Sequence, residues 1–139
     1  QIGIAEAEAS ARSSEREVWA LVDALIARDR RAVFRVWFEL RDQGEAVARL
    51  IPLLAKRVRD VHQISLRLER GDGPQQIKDD VGGNPWAVGH RIAEARRTDS
   101  DSLARALETL ADLELQTRGY GDCSEDTAAI RALGRLTAV

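Results

Sequence analysis

Apolar positions recur at spacings of three and four across residues 18–68, the period that sets side chains on one face of an α-helix. Val18, Leu21, Val22, Leu25 and Ile26 predict a first amphipathic helix. Asp29 breaks it from a second, which carries Val33, Val36, Trp37 and Leu40 and stops at Gly44. The third stripe is the longest: Val47, Leu50, Ile51, Leu54, Val58, Val61, Ile64 and Leu68 hold one line until Gly71. Such a helix is about 35 Å long at 1.5 Å per residue. Pro52 lies in its early part, where a missing donor and a crowded preceding turn predict a kink or a late start. Residues 1–14 are Ala- and Glu-rich with weak periodicity and read as a lead-in from a preceding domain, partly helical or partly disordered.

Beyond Gly71, punctuation takes over from periodicity. Pro74 is placed as a first helical residue of a short helix with Ile77 and Val81 facing inward, ended by Gly82 and Gly83. Asn84 and Pro85 supply an N-cap and a first-turn proline for a fifth helix running to about Arg97. Thr98 with Asp101 resembles a capping box. Leu103, Ala106, Leu107, Leu110 and Leu113 line a sixth helix that stops near Gly119. Ser124 then caps a last helix marked by Ile130, Leu133 and Leu136. No alternating strand pattern occurs, so the expected fold is all-α: a single bundle of six to seven helices over residues 15–139.

Composition narrows the function. With 139 residues, 44% hydrophobic and 32% charged, the chain can bury a core of its own. The net charge of −2 argues against the basic footprint of a nucleic-acid binder. Cys123 is the only cysteine and no C-x-x-C or H-x-x-x-H spacing occurs, so neither an internal disulfide nor a metal site is expected, and the compartment reads as cytoplasmic. No apolar run reaches the roughly 18 residues of a membrane span, and no signal peptide is visible. The start at Gln1 and the lack of methionine suggest a piece of a longer protein.

Catalytic signals are missing from the sequence. It has no phosphate-binding loop, nucleophile elbow, dinucleotide fingerprint or zinc helix. Asp79 and Asp80 are adjacent, which in a helix sets their side chains about 100° apart rather than around one proton. His62 sits near the apolar edge of the third helix with no nucleophile placed beside it. Arg70-Gly71-Asp72 spells an adhesion tripeptide at a helix end, a chance match. We therefore expect no catalytic residues and no cofactor.

Two features bear on binding. Residues 77–97 have the order of a helix-turn-helix, with His90, Arg91, Arg96 and Arg97 on the second helix. Against that reading, the first helix has barely two turns and carries Asp79 and Asp80, and Asn84, Pro85 and Trp86 occupy the base-reading positions. Trp19, Phe34 and Phe38 lie off the main stripes of their helices. Either those helices are buried on two sides, or the three aromatics are anchors of a protein–protein surface.

The order of segments resembles the C-terminal domain of the delta subunit of the bacterial DNA polymerase III clamp loader. The resemblance is carried first by Trp19-Ala-Leu-Val-Asp-Ala-Leu-Ile-Ala-Arg-Asp and a helix ending Glu39-Leu-Arg-Asp-Gln-Gly-Glu. The long helix Leu50-Ile-Pro-Leu-Leu-Ala-Lys-Arg-Val-Arg-Asp-Val follows, then residues 77–81 with Asn84-Pro-Trp-Ala-Val and a helix ending Ala-Arg-Arg. Leu110-Ala-Asp-Leu-Glu-Leu-Gln-Thr is similar to the family's closing motif, with Gln116 where lysine is usual. Pro52 sits deeper in its helix, and the tail over residues 118–122 is longer, than the family pattern. The resemblance implies a collar domain that joins equivalent domains of the gamma/tau and delta-prime subunits during DNA replication. It further implies that the sliding clamp is opened by an N-terminal domain lying outside this sequence. No nucleotide-hydrolysing residue and no direct DNA contact is implied. The alternative is the helix-turn-helix domain of a regulator.

Overall fold

The computed structural model describes residues 4–138, with side chains from residue 15 onward. The expected lead-in, residues 1–14, falls largely outside the described residues; its backbone from Ile4 is the start of the first helix. Seven α-helices follow in order: α1 Ile4–Ile26, α2 Arg30–Asp42, α3 Val47–Glu69, α4 Pro74–Val81, α5 Pro85–Arg96, α6 Ser100–Leu115 and α7 Glu125–Leu136. No strand occurs among the described residues, and the all-α expectation holds.

The stripes do what their spacing demands. Val18, Leu21, Val22, Val33, Val36, Trp37, Leu40, Val47, Leu50, Ile51, Leu54, Val58, Val61 and Ile64 are all buried in one core. α3 is its axis and packs against α1, α5 and α6, while α2 lies on α1 and α7 closes the bundle against α2 and α6. α3 starts at Val47 and runs through Pro52, so the late start is not observed. Pro52 and Ala48 are both exposed, which leaves the carbonyl that lost its donor open to water.

The connections follow capping chemistry. Asp29 accepts from the Ala32 amide at 3.1 Å, after Arg28 turns the chain with φ 55°. Asn84 accepts from the Trp86 amide at 2.9 Å with Pro85 beside it. The cap of α6 is Asp99, accepting from the Ser102 amide at 2.7 Å, and not the expected Thr98. That bond draws the Asp99 carboxyl below its ordinary value. α6 ends in a π-helical turn, Gln116–Tyr120, where Gly119 takes φ 95°, a conformation that favours glycine.

Polar bonds fix the helix ends. Ser100 donates to Glu69 through its amide at 3.0 Å and its hydroxyl at 2.6 Å, tying the end of α3 to the start of α6. Arg30 Nη2 donates to the Gly134 carbonyl at 3.0 Å, and Arg41 meets Asp126 at 3.0 Å, holding α2 to α7. Asp72 accepts from Arg67 at 2.8 Å and from Arg70 at 2.9 Å, so the adhesion-like tripeptide is a helix-terminal ion cluster. One inward assignment is corrected. Val81 is 53% exposed, because α4 ends there before the glycine turn and only Ile77 reaches the core. Ile130 faces outward, since α7 packs through Ala128, Ala129, Ala132 and Leu133.

Candidate interaction surface

Trp19, Phe34 and Phe38 have three different environments. Phe34 and Phe38 are one turn apart on α2, their rings stacked at 6.2 Å between centroids. Phe34 is half-buried against the core and Phe38 is 47% exposed. Trp37, between them in sequence, points the other way and is fully buried. The pair thus sits on a solvent face over a filled core, with exposed Arg31, Arg35, Glu39 and Asp42 on the same helix. Trp19 is covered instead: the Arg57 guanidinium lies 5.1 Å and that of Arg91 4.2 Å from its ring. Arg57 is in turn paired with Glu15. Trp19 therefore joins α1 to α3 and α5 through cation–π contacts.

The α4–α5 segment has helix-turn-helix order, but His90, Arg91 and Arg97 are engaged within the fold. Arg91 is committed to Trp19, and burial beside the Arg57 charge lowers its pKa. Arg97 donates to Glu94 at 3.2 Å. His90 lies 3.4 Å from Asp23 and stacks against Trp86 at 6.1 Å. Arg96 is exposed at the helix end. Trp86, at one of the base-reading positions of the helix-turn-helix order, is 79% exposed.

Glu94 is a residue that sequence reasoning missed altogether. It lies one turn beyond His90 on α5, its side chain only 2% exposed. Its carboxyl is pushed up to about 6, first by burial and next by hydrogen bonding and charge repulsion from Asp23 on α1; Arg97 and His90 oppose the rise. A helical position between Ile92 and Ala95 hints at burial, but nothing in a single sequence says that Asp23 would face it.

His62, also singled out in sequence, lines an open 370 Å³ groove between α3 and α6 with Arg59, Leu107, Glu108 and Glu114. Cys123 is a half-buried free thiol. No described helix is long and apolar enough to cross a membrane.

Compared with known proteins, residues 15–122 match the family described as DNA polymerase III delta subunit, C-terminal domain. The DNA polymerase III subunit delta of Bacillus subtilis is 27% identical over 109 residues, a span of 77% of this chain and 31% of that protein. A solved structure, the Bacillus subtilis DNA clamp loader delta protein, superposes with a TM-score of 0.79 at 22% identity, covering 91% of this chain and 37% of that one. That likeness establishes a shared fold, over about a third of the length of either relative.

Proposed function

The chain belongs to the family formed by the C-terminal domains of DNA polymerase III delta, and from that premise we propose that it is an assembly domain joining a clamp-loader collar. Its partners are the corresponding helical domains of the gamma/tau and delta-prime subunits. Residues 1–14 are the lead-in from an N-terminal domain that would bind and open the sliding clamp. The helical domain holds that unit in register with the motor subunits, works in the cytoplasm and performs no catalysis itself.

The observation that carries this reading is the stacked Phe34–Phe38 pair, with Phe38 about half exposed over a core that is already full. Aromatics of this kind are enriched at interface centres, and charges around them tune partner choice more than affinity. Heterologous contacts between similar domains close into rings when the rotation allows. Covering the exposed half of Phe38 removes roughly 100 Å² of apolar surface, worth about 2 kcal/mol. Phe38→Ala should therefore weaken binding to the partner subunits roughly 30-fold while leaving helicity and melting nearly unchanged. Unchanged binding by this variant would remove α2 from the interface. The helix-turn-helix alternative is not favoured, because Arg91, Arg97 and His90 are bound within the fold.

A further inference from the structure

α5 packs chiefly on α3 and α4, yet its His90 and Glu94 face a carboxylate of α1. Donor atoms of Asp23, His90 and Glu94 all lie within 4.8 Å of one another. His90 Nε2 is 3.4 Å from Asp23 Oδ2 and 3.8 Å from Glu94 Oε1. Ligands held about 2.0–2.2 Å from a tetrahedral or octahedral ion are themselves separated by roughly 3–3.5 Å, so these groups need only small rotamer shifts to close on one.

The buried carboxyl oxygens point the same way. Glu94 is almost wholly buried, and no N–H or cation reaches its Oε2 or Asp23 Oδ1, where the two carboxyls have only each other. Arg97 satisfies Oε1 of Glu94 only. Of the other cations nearby in sequence, Arg91 is turned onto Trp19 and Arg96 is exposed at the helix end. Two facing carboxylates with no cation between them repel each other at close range, and a metal ion set between them would serve an oxygen of each. The stacked Trp86 ring restricts the imidazole plane, as outer groups do around metal-bound histidines.

We propose that Asp23, His90 and Glu94 form a binding site for one divalent transition-metal ion of the zinc class, cross-linking α1 to α5. Neutral imidazole and two carboxylates suit such an ion, and the half-exposed Asp23 and His90 leave room for water as remaining ligands.

The test is titration of the 139-residue chain with Zn²⁺ alone, by calorimetry and thermal melting, with Co²⁺ absorption as a second readout. One equivalent should bind, raise the melting temperature and give Co²⁺ ligand-field bands. His90→Ala, at an accessible position, should keep the metal-free melting temperature, and both it and Asp23→Asn should weaken binding about 100-fold or more, at least the cost of losing an outer-shell partner. Cys123→Ser should bind as the wild type does. Absence of saturable one-equivalent binding, or binding that survives His90→Ala and Asp23→Asn, would overturn the site.

Discussion

Replacing Glu94 with glutamine should stabilise the metal-free protein near neutral pH, although it deletes a charge that contacts Arg97. The Glu94 carboxyl ordinarily ionises at 4.5 and in the fold does so at about 6. A carboxyl raised in this way favours the folded state at low pH. Its contribution is complete below about 4.5 and is lost as pH rises through about 6. The gap corresponds to about 2 kcal/mol of penalty on the ionised form, caused first by burial and second by Asp23. Glutamine keeps an oxygen for Arg97 and offers an amide N–H toward Asp23, reproducing the protonated state at every pH. Urea unfolding of both proteins in the presence of a chelator gives a difference curve in which the titrations of groups remote from Glu94 cancel. That curve should rise from near zero below pH 4.5 to about 2 kcal/mol at about pH 7.5, or roughly 5–10 °C in melting temperature for a chain of this size. A flat curve, or a variant less stable than wild type near neutrality, would refute the account of a Glu94 carboxyl raised by burial and by Asp23.

The other predictions rest on separate contacts. Trp19→Ala should cost about 2–3 kcal/mol of stability, because it removes a half-buried ring and two cation–π contacts; chemical denaturation measures it, and a loss below about 0.5 kcal/mol would make Trp19 a surface residue. Asp99→Ala should cost about 1 kcal/mol through loss of the α6 cap, whereas Thr98→Ala should be nearly neutral; a reversal of that order by the same assay would restore Thr98 as the cap. Phe38→Ala should weaken binding to the partner subunits without lowering the melting temperature, which a pull-down and a thermal melt of the same preparation would check together.

Much of the bundle was legible because repeated burial writes a repeated pattern. The stripes of α2 and α3 mark their inner faces, and Pro74, Asn84 and Pro85 mark starts that any backbone must honour. What stayed hidden depends on partners rather than on period. Val81 keeps helical spacing with Ile77 but sits on the last residue of α4, where the core has ended. α7 packs through alanines, whose small side chains allow close approach but give little apolar signal beside Ile130. Thr98 and Asp99 are both good caps, and it is Asp99 that accepts from the Ser102 amide. Trp19 reads as an off-stripe aromatic, and only the fold brings Arg57 and Arg91 over it. The Asp23–His90–Glu94 cluster joins residues 67 apart in sequence, so no local spacing could reveal it.

The assembly account meets its most direct test when the chain is mixed with the delta-prime and gamma/tau proteins of a clamp loader, then run on size exclusion with light scattering beside a duplex-DNA binding assay. The account predicts stable co-elution with those proteins, weakened by Phe38→Ala, and no affinity for DNA. Salt-sensitive DNA binding without co-elution would contradict it.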